Sequence, residues 1–245
     1  MAKKAFVLHS GGVDSTVCLF EAVSEYPEVE SVSVNYDQRH KREILHAREI
    51  CDNYQIPHTI LNLSDVLGGA MLTGGIQPIP SVSYADLPYG VSPTYVPFRN
   101  GTLLSLVTAH AQKWVNAQLA AFEGVSLSGM EDLRPQAAIY FGAHAEDAHN
   151  WAYPDCTPEF IGAMANAIYI GTYRAVRLHT PLMWMTKDRI IKRGCEIDAP
   201  LHLTFSCYAG GEYHCGTCPT CRSRRDGFRR AGVDDPTVYF DPVEA

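Results

Sequence analysis

The feature that most restricts this chain is Ser10-Gly11-Gly12-Val13-Asp14-Ser15, set between a short apolar run at residues 5–8 and a stretch with helical spacing. In that stretch Leu19, Ala22, Val23 and Tyr26 fall at i, i+3, i+4 and i+7, which is one face of a helix. A glycine pair that closes a buried strand and opens a helix is the turn of a β-α unit. The alternation then repeats. Residues 29–36 read as a second strand, Ala47, Ile50, Cys51 and Tyr54 restore the helical spacing, and residues 58–63 follow Pro57 as a third strand. Such alternation predicts an α/β fold, a parallel sheet with helices on both faces.

Residues 68–97 interrupt the pattern with five glycines and five prolines, a long loop of the kind that carries function or moves. Helical spacing restarts with Leu103, Leu106, Val107 and Trp114. Residues 116–136 show no regular pattern and are assigned no element. Residues 138–141 read as a strand. Thr157-Pro158 is a helix start, since threonine caps and proline suits the first turn, and Ile161, Met164, Ala165 and Ile168 continue that helix. Residues 176–178 are the last strand expected and 186–193 the last helix. From Phe205 the composition turns to cysteine, glycine and arginine. The organisation expected is one domain over 1–204, with a small metal-binding lobe over 205–245 packed on it.

Bulk composition narrows the classes. A hydrophobic content of 46% supports a packed core, and a formal net charge of -7 argues against a surface built to hold nucleic-acid phosphates. The opening Met1-Ala2-Lys3-Lys4 has no signal-peptide pattern, and no apolar run approaches a membrane span. The expectation is a cytoplasmic protein without a membrane partner, in which crowded cysteines bind metal rather than form disulfides.

The chemistry of the 10–15 loop follows from its place. A helix N-terminus presents unpaired N–H groups and partial positive charge, which suits phosphate. Glycines admit the anion close to the backbone, and Ser10 and Ser15 add hydroxyl donors. Asp14 cannot hold phosphate directly; it acts through magnesium or orients the loop. The plainer alternative is a strand–helix turn capped by Asp14 or Ser15. Ser10, Asp14 and Ser15 are expected to serve the phosphates and not folding.

Near the C-terminus Cys207, Cys215, Cys218 and Cys221 lie within 15 residues, with two overlapping Cys-x-x-Cys steps. Three thiolates from one tight turn and a fourth from the preceding segment can close a tetrahedral zinc site with no open position, hence a structural one. His214 is a competing ligand, and buried free cysteines or a redox pair are the alternatives. Cys18 and Cys51 read as core residues.

The Ser-Gly-Gly-x-Asp-Ser string resembles the ATP-pyrophosphatase family, which implies cleavage of ATP to AMP and pyrophosphate through an adenylated intermediate. Further strings are similar to the 7-cyano-7-deazaguanine synthase (QueC) family. They are Asn35-Tyr36-Asp37-Gln38-Arg39-His40, Thr94-Tyr95-Val96-Pro97-Phe98-Arg99-Asn100, Tyr153-Pro154-Asp155-Cys156-Thr157-Pro158-Glu159-Phe160 and Ser206-Cys207-Tyr208 leading into Cys215-Gly216-Thr217-Cys218-Pro219-Thr220-Cys221-Arg222. They span nearly the whole chain in the family's order. The resemblance implies a Rossmann-like, adenine nucleotide alpha-hydrolase-like fold. It also implies conversion of 7-carboxy-7-deazaguanine, ammonia and ATP to the nitrile, with structural zinc and with magnesium accompanying ATP. The chain departs from the family at Phe98, over 123–136, and near Trp151. The last departure keeps an alternative open, a related adenylating enzyme that stops at the amide or passes the acyl group to another amine. A tRNA- or protein-modifying relative and a non-catalytic zinc-ribbon module are less well matched, given the acidic balance and the intact loop.

The ATP-contacting positions expected are therefore His9, Ser10, Gly11, Gly12, Val13, Asp14, Ser15 and Thr16, joined by Gln38 and Arg39 where a helix should begin after the second strand. Ser10, Asp14, Ser15 and Lys187 are the expected catalytic group. Arg99 could clamp a carboxylate or a phosphate. Asn100 is a substrate contact or a helix cap, and Asp147 or Asp155 would accept from the guanine-like N–H edge. The arginines at 222, 224, 225, 229 and 230 read as a solvated helix face rather than a nucleic-acid patch. A homodimer is a further expectation.

Overall fold

The computed structural model describes residues 3–36, 42–64, 66–67, 71–73, 81, 89–121 and 135–240. Gln38, Arg39 and His40, most of the 68–97 loop and the departure over 123–134 lie outside them. Among the described residues five strands form one all-parallel sheet in the order β3-β2-β1-β4-β5. They are β1 (Lys3–Leu8), β2 (Val29–Asn35), β3 (His58–Asn62), β4 (Gln136–Phe141) and β5 (Val176–His179). The crossovers carry α1 (Val13–Glu25), α2 (Arg42–Tyr54), α3 (Arg99–Ala120) and α4 (Pro158–Gly171), and α5 (Lys187–Glu196) and α6 (Pro219–Ala231) follow β5.

Alternation along the central strand divides the core. Ala5 and Val7 face α1, α2, α5 and α6, where Val17, Leu19, Ile50, Ile190 and Phe228 pack. Phe6 and Leu8 face the other side, with Leu104, Val107, Ile161 and Ile168 of α3 and α4. Burial on both faces explains the near-continuous apolar run of β1.

Three expectations need correction. α3 runs on to Ala120, across positions assigned no element, because Asn116–Ala120 continues the helix without a clear apolar stripe. Asn100 is inside the first turn of α3; the cap position belongs to Phe98, in the left-handed region at φ 54°. α5 is not the last helix, since α6 follows, and Arg224 on α6 is 1% exposed rather than solvated. Its guanidinium donates to Asp235 (3.1 Å), to Thr204 Oγ1 (2.7 Å) and to the Leu201 carbonyl (3.1 Å). With Phe228 in the core cluster, these bonds seat α6 on the sheet domain. No helix among the described residues is long and apolar enough to cross a membrane.

Thr157 caps α4 as its sequence indicates, accepting from the Phe160 N–H at 3.2 Å, with Pro158 in the first turn.

Candidate active site

The sheet order reverses between β1 and β4, and ligands of open parallel sheets bind at the carboxyl ends of strands at such a point. The loops leaving those two strands, 9–12 after β1 and 142–144 after β4, open here on one cavity of about 230 Å³. Ser10, Gly12, Val13, Asp14 and Ser15 line it on one side, Arg99, Asn100 and Asp147 on another, with Lys187 between, and Thr220, Ser223 and Arg224 of α6 complete the wall.

The loop folds on itself, and the Gly12 N–H donates to Ser10 Oγ at 3.4 Å. Gly12 is the cap of α1 and makes no side-chain cap bond. Ser10 and Ser15 bond each other through their hydroxyls at 3.0 Å, Ser15 Oγ donates to the Gly12 carbonyl at 3.1 Å, and the Ser10 N–H donates to Ser15 Oγ at 3.2 Å. The turn is thus shaped by its own serines. Gly11 sits at φ +81° with no room for a side chain, since a Cβ there would stand 2.5 Å from the Glu43 carbonyl oxygen and 2.7 Å from the Ala47 nitrogen.

Asp14 is paired in this structure: both its oxygens accept from Lys187 Nζ at 2.6 Å. Burial pushes the Asp14 carboxyl up, but Lys187, with His144 adding, holds it well below the usual carboxylate range. The pair ties the first turn of α1 to the first turn of α5, whose Lys187 N–H donates to Glu146 Oε2 at 2.8 Å.

His9 and Thr16 do not offer their side chains to a ligand. The His9 ring spends one nitrogen on Ser31 Oγ (3.0 Å) and the other on Thr16 Oγ1 (3.1 Å), and both residues are buried. Burial, with His58 adding, lowers the His9 pKa to about 3, so the ring is a neutral strut under the loop. His9 still forms part of the cavity wall, whereas Gly11 and Thr16 do not.

The two aspartates separate. Asp155 Oδ2 accepts the Asn100 N–H at 3.0 Å, and its carbonyl accepts Asn100 Nδ2 at 3.3 Å. Asp155 is 3% exposed and does not line the cavity, so it closes the start of α3 instead of facing a ligand. Asp147 does line it. Trp151, near which the chain departs from its relatives, is 56% exposed and off the cavity wall.

Two groups escaped the sequence reading. His144 follows β4 with both ring nitrogens buried and without a hydrogen-bond partner, its Nε2 3.7 Å from Asp14 Oδ2 and 3.5 Å from Asp147 Oδ2. Burial lowers its pKa, and the carboxylates of Asp147 and Asp14 more than offset this, leaving it raised. The second is Glu43 in the first turn of α2, which lines the cavity near Arg99. No periodicity marks either residue; only the tertiary arrangement does.

The four C-terminal cysteines bring their sulfurs within 4.8 Å of one another, a set that could hold a metal ion. Backbone N–H groups of Ala209 and Cys215 donate to Cys207 Sγ, and that of Cys218 to Cys215 Sγ, each at 3.3 Å. Hydrogen bonds from Cys207 and Cys221 hold the Cys218 thiol far down, while those two are pushed up. Four sulfurs gathered this closely, one of them readily ionised, are a donor set that suits a soft cation. His214 is not a fifth candidate, because its Nε2 accepts the Ser206 N–H at 3.0 Å.

A sequence model of the family described as "Queuosine biosynthesis protein QueC" matches residues 4–135 and 114–232. The chain belongs to the QueC family. It is 38% identical over 245 residues to the 7-cyano-7-deazaguanine synthase of Acetivibrio thermocellus, covering 98% of this chain and 99% of that one. It is 36% identical over 242 residues to the synthase of Thermoplasma acidophilum, covering 97% and 92%. Among solved structures, the U34-tRNA thiolase NcsA of Methanococcus maripaludis is 19% identical with a TM-score of 0.41, covering 94% of this chain and 65% of that one.

Proposed function

We propose that this QueC-family chain is an ATP-dependent 7-cyano-7-deazaguanine synthase, converting 7-carboxy-7-deazaguanine and ammonia to the nitrile through an adenylated acid and an amide. The observation that carries this reading is the cavity at the β1/β4 switch point, which collects the start of α1, Lys187, Arg99 and Asp147. It is supported by near full-length similarity to synthases.

A carboxylate is a poor electrophile because oxide would have to leave. Adenylation makes AMP the leaving group. The α1 amides at Gly12 and Val13, with the Ser10 and Ser15 hydroxyls, receive the phosphates and stabilise charge developing on them. Lys187 moves between Asp14 and phosphate. Arg99 holds the acid's carboxylate or the α-phosphate in a bidentate way, and Asp147 accepts from the donor edge of the deazaguanine. Cys207, Cys215, Cys218 and Cys221 would hold zinc, which would order the lobe whose α6 closes the cavity. The amide oxygen must leave before a nitrile forms, so a second adenylation occurs in the same place.

The pure protein, supplied with 7-carboxy-7-deazaguanine, ammonium and ATP, forms about two AMP per nitrile and accepts synthetic amide as a substrate. Mass spectrometry of the product checks this. One AMP per amide, with no nitrile from added amide, would remove the synthase reading in favour of an enzyme that stops at the amide. Of the segment from Asp147 to Tyr153 that kept that alternative open, Asp147 lies on the cavity wall and Trp151 faces solvent.

A further inference from the structure

Ammonia that attacks an acyl adenylate becomes positively charged and must lose a proton before AMP can depart, so the cavity needs a proton acceptor. The groups already assigned do not offer one. Lys187 and Arg99 are cations, and Asp14 is engaged on both oxygens by Lys187. Ser10 and Ser15 are hydroxyls bonded to each other, and the Asp147 carboxylate faces the His144 ring at 3.5 Å.

Glu43 remains. It lines the cavity with the loop and Arg99. The first turn of α2 is pressed onto the loop, since a Cβ added at Gly11 would stand 2.5 Å from the Glu43 carbonyl oxygen. Among the described residues, the titratable and charged groups that face its carboxyl are Arg99 from α3 and Tyr36 beyond the end of β2. We propose that Glu43 is the catalytic proton acceptor for the attacking nitrogen in the amide-forming half of the reaction. This rests on the adenylating-synthase reading given above.

The step balances as follows. The ammonia lone pair forms the C–N bond at the adenylated carbon. The resulting N–H⁺ gives one proton to the Glu43 carboxylate. The C–O bond to AMP breaks, its electron pair leaves on the phosphate oxygen, and an amide remains. Glu43 returns the proton to water through the open cavity. Burial supports the role: it pushes the Glu43 carboxyl up to about 7, with Arg99 opposing, so the group is partly ionised and appreciably basic near neutrality.

Two half-reactions separate this role from nucleotide binding. Acid-dependent exchange of labelled pyrophosphate into ATP reads adenylation without ammonia, and amide release with ammonium reads the second half. In the wild type, amide formation rises with pH through about 7, because only ionised Glu43 accepts a proton. The Glu43→Gln variant keeps the exchange within a few-fold of wild type, which also shows that it folds. It loses about 100-fold in amide formation at neutral pH, and the rise near 7 disappears. Higher pH restores part of the rate through free ammonia and hydroxide, and Glu43→Asp falls between. Full amide formation in Glu43→Gln overturns the assignment. Loss of both halves together overturns it as well and makes Glu43 a nucleotide-site residue. If the wild type shows no acid-dependent exchange, the adenylation reading fails instead, and the assignment with it.

Discussion

Two helix starts in this protein solve the same local problem for different anions. α1 begins at Gly12 and α6 at Cys218, and neither cap residue makes a side-chain cap bond. Both expose the positive end of a helix. At α1 the adjoining groups are hydroxyls and glycine amides, arranged around an opening. At α6 the adjoining groups are sulfurs, and backbone N–H groups of the lobe already point at them. A third start, that of α3, is closed from within by Asp155, a residue 55 positions further along the chain. An open start serves a ligand that comes and goes; a filled one serves architecture.

The sharpest way to break this contrast is at α6. Cys218→Ser removes a sulfur from a lobe with little core of its own, and metal binding in such a lobe is worth on the order of 10 kcal/mol. Insoluble or zinc-free protein is the expected outcome. Full solubility together with an elemental analysis showing no zinc in the wild type would show that the cysteines do not serve as a metal centre.

At α1 the effect should fall on chemistry first. Asp14→Asn lowers pyrophosphate release by about 100-fold by losing control of Lys187. It also costs on the order of 2 kcal/mol in stability, because Lys187, 9% exposed, is left without its counter-charge. This second effect departs from the expectation that Asp14 matters only to phosphate. It has a pH signature. The native pKa lies below the ordinary 3.8, so the stabilisation is present above that value and is lost as pH falls through the native one. Denaturant titrations of wild type and variant should therefore differ at neutral pH and converge in acid. Equal stability at neutral pH would mean that the pair contributes nothing.

The smallest effect belongs to the closed start. Asp155→Ala uncaps α3 and should cost about 1 kcal/mol, with KM for the acid changing little. A large rise in that KM with unchanged stability would return Asp155 to the substrate.

Much of this was legible in sequence, for identifiable reasons. The strands are apolar runs bounded by turns, Thr157-Pro158 fits a known cap, and the cysteine spacing is local. What escaped depends on groups distant along the chain. Arg224 counts as polar in any periodicity, yet Thr204, Leu201 and Asp235 satisfy it in the interior, and with it the inner face of α6 went unseen. Glu43 and His144 acquire their roles only where β1, β4, α2 and α3 meet. Asp155 lies in a string that resembles the family's, but the string does not say that it faces the α3 amides instead of the cavity.

Because Thr220, Ser223 and Arg224 of α6 form part of the cavity wall, a metal on the four cysteines and a nucleotide in the cavity would, on the proposed function, share a single binding polynomial. Whatever free energy the metal contributes to nucleotide affinity by fixing that wall, the nucleotide must return to the metal in equal measure, since coupling between two equilibria is reciprocal. If zinc is that metal and ATP that nucleotide, as proposed, a cell that lowers its free zinc would thereby weaken the grip on ATP, and an enzyme saturated with ATP would surrender its zinc last.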